Sequence, residues 1–402
     1  MAVQDVFEFC LDWHSEVAAH RERQVLCCDL AAAQDAPVAE LRACLAALAT
    51  QGSCSARFAA GELVPPHAAE QVRQVPLAQF DARFAGQDTP PEVGRYYPRA
   101  ILAAALGGSK RDLAPFLVTR VEQDLIEVDL NHPLARFDLA LSAFGRDLDQ
   151  PPQPVLRSAA AVVGRITANG PGMQGSAAMG APTMFAVYPF VREDERADRL
   201  FYATERLVAH LDVTASAEIA ALYARFLRPG MKVLDLMSSW MSHLPDSPND
   251  LRVVGLGMNE AELGANPRLC ERVVHDLNQS PVLPFQDGAF DLVVCTASIE
   301  YLVRPVEVLQ EVGRVLKPGA VFVNTFSNRW FPPKAIRLWA HLHPFERLGL
   351  VLNAYRRAAV FEALNTETLQ GLPRPRADKY AGRLATSDPV FAVWGRRAQA
   401  MG

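Results

Sequence analysis

From about Leu200 onward, short unbroken apolar runs alternate with stretches of helical period. Ile219, Leu222, Tyr223, Phe226 and Leu227 recur at i, i+3, i+4, i+7 and i+8, one face of a helix. Pro229-Gly230 ends that face, and Lys232-Val-Leu-Asp235 follows as a short buried strand. The runs 252–255, 272–275, 291–295, 321–324 and 390–394 have the same character. A second helix carries Val308, Leu309, Val312, Val315 and Leu316 and is expected to stop at Pro318-Gly319. Continuous apolar strands separated by helices predict an α/β fold with a mostly parallel sheet covered on both faces. Ligands of such sheets bind beyond the carboxyl ends of the strands, near the point where strand order reverses.

The first third of the chain reads differently. Phe7 to Trp13 alternates like a half-buried strand, and Val38 to Leu48 is a short amphipathic helix. Leu125–Leu130 and Phe137–Leu141 look like two further strands joined by Asn131-His-Pro-Leu134. This is an α+β pattern with an insert. Between the halves, Gln150-Pro-Pro-Gln-Pro154, Gly170-Pro-Gly172 and the stretch 175–180 are rich in Pro, Gly, Ala and Ser. The expected division is therefore an α+β domain over 1–147, a linker or docking arm over 148–190, and an α/β domain over 191–402.

Composition narrows the partners. The 402 residues carry a net charge of −5, and only five of the forty Lys and Arg residues are Lys, so no basic surface for nucleic acid is expected. No apolar run approaches the roughly 20 residues that span a bilayer, so no membrane partner is expected either. The seven cysteines form no CxxC pair, which suggests reduced thiols and no metal site. Asp5, Glu8 and Asp12 make the start unlike an export signal. A cytoplasmic protein is the expectation.

The candidate chemistry sits where strands should end. Asp235 closes the first strand and leads into Leu236-Met-Ser-Ser-Trp240, with His243 shortly after. Gly255-Leu-Gly-Met-Asn-Glu260 ends the second, and His275-Asp276-Leu277 the third. Leu283-Pro-Phe-Gln-Asp-Gly-Ala-Phe-Asp291 enters the fourth, which ends in Cys295-Thr-Ala-Ser-Ile-Glu-Tyr-Leu302. Asn328, Arg329 and Trp330 follow the fifth, and Arg314-Val-Leu-Lys-Pro-Gly319 precedes it.

That order of strand ends, with Leu283–Asp291 and Arg314–Gly319 as its most specific pieces, resembles the Rossmann-like core of class I S-adenosylmethionine-dependent methyltransferases over residues 200–397. The resemblance implies S-adenosyl-L-methionine as cofactor. It places the methionine part against Asp235, Met237, Ser238, Ser239 and Trp240, the ribose near Gly257, Met258 and Asn259, and the adenine by Asp276 and Leu277, with Thr296 beyond. Glu300 and Tyr301 fall where catalytic or substrate-facing groups sit, His243 is a candidate base, and Asn328, Arg329 and Trp330 are candidate acceptor contacts. Each has a plainer alternative. Asp235, Asp276, Ser238 and Ser239 are residue types that cap helices and turns. Trp240 suits a core or a lid as well as a stacking platform, and a lone loop histidine is more often not catalytic.

Two departures stand out against the family pattern. Met237-Ser-Ser-Trp-Met-Ser-His243 replaces the usual glycine-rich loop, where backbones approach the cofactor and take φ > 0. Gly257 occupies the place of the ribose-binding acid, with Asn259 or Glu260 as possible substitutes. Losing one charge-assisted hydrogen bond costs about 1.5–3 kcal/mol, so weaker binding is expected rather than none.

In the first third, Val38–Val64, Gln71–Phe80 and especially Asp129-Leu-Asn-His-Pro-Leu-Ala135 resemble the SlyD-like branch of FKBP-type peptidyl-prolyl isomerases. That implies a peptide-binding module with a flap carrying Tyr96, Tyr97, Ile101, Leu102 and Phe116. The aromatic bowl of that family is eroded: Trp13 stands in for its first-strand aromatic, but Val64, Leu141 and Arg136 depart from it. Three functions follow: a methyltransferase whose acceptor the sequence leaves open, with protein or peptide among the candidates, recruited by an FKBP-like module; a non-catalytic chaperone or scaffold; or an isomerase with a regulatory cofactor domain.

Overall fold

A computed structural model describes residues 5–30, 35, 36, 38–83, 90–149, 151–176 and 190–399. The chain divides into two compact units, residues 1–188 with 341–350, and residues 189–340 with 351–402.

The first unit contains β1 (Asp5–His14), β2 (Ala18–Cys28), β3 (Ser53–Phe58), β4 (Val72–Pro76), β5 (Tyr96–Pro98), β6 (Pro115–Val121), β7 (Leu125–Asp129) and β8 (Leu139–Gly145). Four of them run β2-β1-β8-β3 and the other four β4-β7-β6-β5, all antiparallel. The period of two in β1 puts Phe7, Phe9, Leu11 and Trp13 on one face, against Leu41, Leu45 and Leu48 of the helix Ala39–Gln51. That helix ends at Gly52, whose φ of 73° is the left-handed cap that glycine adopts without a Cβ clash. The insert has its own core of Tyr97, Ile101, Leu102, Phe116 and Val128.

Two expectations change here. Residues 159–167, within the stretch read as a linker, form a helix capped by the Ser158 hydroxyl, which accepts from Ala161 N at 3.1 Å. Its Ala159, Val162 and Ile166 join the first unit's core. The flanking Pro and Gly had masked a short apolar stripe. Residues 150 and 177–189 of that stretch lie outside the described residues. Cys44 and Cys54, expected as thiols, are joined in a disulfide, because the tight turn from helix to β3 brings their Cα atoms to 5.1 Å.

The second unit contains β9 (Lys232–Leu236), β10 (Arg252–Gly257), β11 (Glu271–Val274), β12 (Phe290–Thr296), β13 (Leu316–Phe326), β14 (Phe361–Gln370) and β15 (Val390–Arg397). They run β11-β10-β9-β12-β13-β15-β14. The first five are parallel, and β15 is antiparallel to both β13 and β14. The chain winds outward from β9 to β11 and then returns to β12 on the other side. The strand order therefore reverses between β9 and β12. The helix Pro305–Val315 stops earlier than expected, and Leu316 already starts β13. Arg314 at its end ties two sequence motifs together: its guanidinium donates to Glu311, Asp287 and the carbonyls of Leu283 and Phe285. Among the described residues no helix is long and apolar enough to cross a membrane.

Candidate functional site

A cavity of about 550 Å³ opens at the carboxyl ends of β9, β10, β11 and β12, where the strand order reverses. Its lining includes Asp235, Met237, Ser238, Ser239, His243, Gly257, Met258, Asn259, Asp276, Leu277, Thr296, Tyr301, Asn328, Arg329 and Trp330 from the expected set. Trp240 and Glu300 do not line it. The Trp240 indole instead donates to Val208 O at 3.2 Å, tying down the segment before the helix Val213–Ala224. Glu300 is 1% exposed inside the 3-10 turn Ile299–Tyr301, because that turn rotates it inward while Tyr301 reaches the cavity.

Asp235 is buried and accepts hydrogen bonds from the hydroxyls of Ser238 (2.7 Å) and Ser242 (2.5 Å). Burial pushes its pKa up to about 6, against the pull of those two hydroxyls. The loop that follows keeps a glycine-like backbone without glycine: Met237 has φ 58°. Ser238 N then donates to Leu256 O at 2.7 Å, crossing from β9 to β10.

This crossing explains the second departure from the family pattern. A Cβ on Gly257 would lie 2.1 Å from the Ser238 carbonyl oxygen. The serine-bearing loop fills the space that an acidic side chain would need at that position, so the two departures are one feature. Neither substitute for the missing acid offers a free side chain to the cavity. Asn259 caps the helix Glu260–Ala265, accepting from Ala261 N and Glu262 N, and donates to Tyr202 O at 2.8 Å. Glu260 is exposed and does not line the cavity. The acid present is Glu262, which accepts from Ser239 Oγ and from Arg206 N, both at 2.7 Å. In the sequence it reads only as the acidic third residue of a helix cap.

Beyond β11, Asp276 accepts from Asn278 N and Gln279 N, so its turn-capping role is realised in a residue that also lines the cavity. At the end of β12, Thr296 shares a 2.7 Å hydrogen bond with the buried Tyr223 hydroxyl. The Tyr301 hydroxyl accepts from Phe331 N at 2.9 Å. His243 Nδ1 is buried and has no hydrogen-bond partner among the described residues. Burial and the neighbouring His210 bring the His243 pKa down to about 4, so its ring is neutral at pH 7. Sequence reading missed Tyr202, Arg206, His210, Lys379 and Tyr380, which also line the cavity. They lie outside the strand ends, and no local pattern marked them. Among the described residues no cluster of three or more His, Cys, Asp or Glu suits a metal ion.

Residues 239–324 match a family model described as a methyltransferase domain. The chain is 26% identical over 180 residues to the ubiquinone/menaquinone biosynthesis C-methyltransferase UbiE of Laribacter hongkongensis, covering 40% of this chain and 72% of that protein. It is 32% identical over 87 residues to the sterol 4-C-methyltransferase strm-1 of Caenorhabditis elegans, covering 21% of this chain and 26% of that protein. A solved structure of Haemonchus contortus phosphoethanolamine N-methyltransferase 2 in complex with S-adenosyl-L-methionine superposes with a TM-score of 0.32 at 13% identity, over 44% of this chain and 52% of that one. Residues 239–324 of the α/β unit thus share the likeness of methyltransferase domains, whose cofactor is S-adenosylmethionine.

Proposed function

We propose that the second unit catalyses S-adenosylmethionine-dependent methyl transfer, with the cofactor along the ends of β9, β10 and β11 and the acceptor beyond β12 and β13. The observation that carries this reading is the cavity itself. It falls at the strand-order reversal, with about half of its lining in the matched residues, and its 550 Å³ is ample for a nucleotide-sized ligand. Asp235, Ser239, Glu262, Asp276 and Leu277 would hold the cofactor. When bound, its sulfonium supplies an electrophilic methyl group whose leaving group needs no protonation.

The chain's own contribution is alignment, for which effective molarities of about 10⁵ M or more are attainable. Asn328, Arg329 and Trp330 orient the acceptor in this reading, and Tyr301 fixes Phe331 at the cavity wall. His243 is the group able to take a proton from an acceptor hydroxyl or amine. Its low pKa makes it a weak base, suited to an acceptor that is already acidic.

The first unit is read as an FKBP-like peptide-binding module rather than an isomerase. Trp13, the ring that would floor a prolyl pocket, is 1% exposed, stacked on His20 at 3.8 Å and packed on Phe137 at 4.6 Å. The test is calorimetry of the full chain with S-adenosylmethionine and S-adenosylhomocysteine. Binding of both is expected, weakened at least tenfold by Asp235→Ala. Folded protein that binds neither at millimolar concentration would end this reading.

A further inference from the structure

The acceptor half of the cavity has an electrostatic character that the fold alone does not require. Arg329 donates through Nε to Asp388 at 3.0 Å, but its Nη2 is buried with no hydrogen-bond partner among the described residues. The same carboxylate oxygen also accepts from Arg374 Nη2 at 2.5 Å, and Arg374 in turn pairs with Asp212 at 3.3 Å and Asp378 at 3.0 Å, so Nη2 is the part of Arg329 left unpaired among these carboxylates. The Arg329 guanidinium lies 4.3 Å from the centroid of the Tyr380 ring, and Lys379 Nζ lies 5.2 Å from that same centroid. No ion pair is seen for Lys379 among the described residues. Two cations therefore flank one aromatic ring at the cavity wall, where burial, aided by Arg206 and Lys379 and opposed by Glu262, disfavours the charged form of the nearby His210.

The acids lining the cavity are committed elsewhere. Asp198 pairs with Arg192 at 2.7 Å and with Lys334 at 3.0 Å. Asp235 and Glu262 accept serine hydroxyls, and Asp276 caps its own turn. Leaving a buried guanidinium nitrogen without a partner is costly, and a ligand oxyanion would recover that cost. Aromatic side chains beside the cations, Tyr380 and Trp330, suit a flat apolar body next to that charge.

Resting on the methyltransferase reading, we propose that Arg329 and Lys379 form an oxyanion subsite, and that the methyl acceptor is a small aromatic compound bearing a carboxylate or phosphate. The anion anchors at Arg329 and Lys379, the ring lies against Tyr380, and the position to be methylated points toward the ends of β9 and β12. The same cations would also attract the carboxylate of the cofactor's own methionine part, so the experiment has to separate the two sources.

The full chain is first saturated with S-adenosylhomocysteine and then titrated with benzoate, phenyl phosphate and benzyl alcohol by calorimetry. Benzoate or phenyl phosphate should bind roughly tenfold to a hundredfold more tightly than benzyl alcohol, as one charge-assisted hydrogen bond would give. Lys379→Met, at an exposed position, should remove most of that preference and leave S-adenosylhomocysteine affinity within about twofold; Arg329→Lys should restore part of what Arg329→Met loses. Equal binding of the three probes, or none by any of them, overturns the proposal. So does a loss of S-adenosylhomocysteine affinity in Lys379→Met as large as the loss for benzoate, which assigns the cations to the cofactor. Failure of S-adenosylhomocysteine to bind the unaltered chain would instead overturn the methyltransferase reading.

Discussion

The two units close their interiors in opposite ways. In the first, antiparallel strands and a helix fill their core with rings: Trp13, stacked on His20, meets Phe137, and a Cβ on Gly175 would come within 2.8 Å of the Trp13 ring. In the second, parallel strands stop at a common edge, and the reversal between β9 and β12 leaves the loops to diverge around a cavity. One buried titratable group from each unit illustrates the contrast. His20 in the first unit is buried and held neutral, its pKa brought down to about 3, while Asp235 in the second sits on a cavity with its pKa raised to about 6. Burial disfavours the charged form in both places, keeping His20 neutral in the core and making Asp235 costly to ionise at the binding edge.

The sharpest way to break this comparison is to crowd the one place where the second unit has no room. Gly257→Ala puts a methyl 2.1 Å from the Ser238 carbonyl. Cofactor affinity should fall a hundredfold or more by calorimetry, on the order of 3 kcal/mol. In the first unit, Gly108→Ala meets nothing within 4 Å and should change stability by less than about 0.5 kcal/mol.

Acid should then separate the units. His20 is neutral when folded and protonates on unfolding, so its contribution is complete above about pH 6.5 and declines as pH falls toward 3. At pH 5 the first unit should have lost about 2 kcal/mol through this residue alone. Urea titrations of 5-fluorotryptophan-labelled protein, read at Trp13 for the first unit and Trp394 for the second, would show it; an unchanged Trp13 midpoint between pH 7 and 5 would contradict the assignment.

Asp235 has the opposite sign. Its raised pKa means that ionisation opposes folding, absent below about pH 4 and complete above about pH 6. Asp235→Asn should therefore stabilise the second unit by about 1–3 kcal/mol at pH 8, with the gain vanishing near pH 4, while cofactor binding weakens. At the site, a smaller effect is expected from Met237→Gly. Relief of the positive φ should contribute about 1 kcal/mol, reduced by glycine's greater unfolded-state entropy, with cofactor affinity nearly unchanged in the same calorimetric assay.

The α/β half was legible in the sequence because parallel strands buried on both faces must be written as continuous apolar runs. β14 escaped notice because Phe361–Gln370 mixes Glu, Asn and Thr into its run and carries a register shift between Glu362 and Asn365. Its burial comes from neighbours distant in the chain. In the first third, β2 was missed since Ala18–Cys28 opens with His, Arg and Glu, whose partners are set by pairing: Arg21 meets Asp12 and Arg23 meets Glu8 across β1.

The site divides along the same line. Sequence alone determined that Asp235, Gly257, Asp276 and Thr296 stand at strand ends, because strand length and period are local properties of the chain. Only tertiary structure decided that Ser238 closes over Gly257, that Glu262 is the acid present, that Glu300 turns inward, and that Lys379 arrives beside Arg329 at one ring. Those facts depend on which loops converge beyond the sheet. Convergence is set by strand order and packing, and no local pattern of hydrophobic and polar residues encodes it.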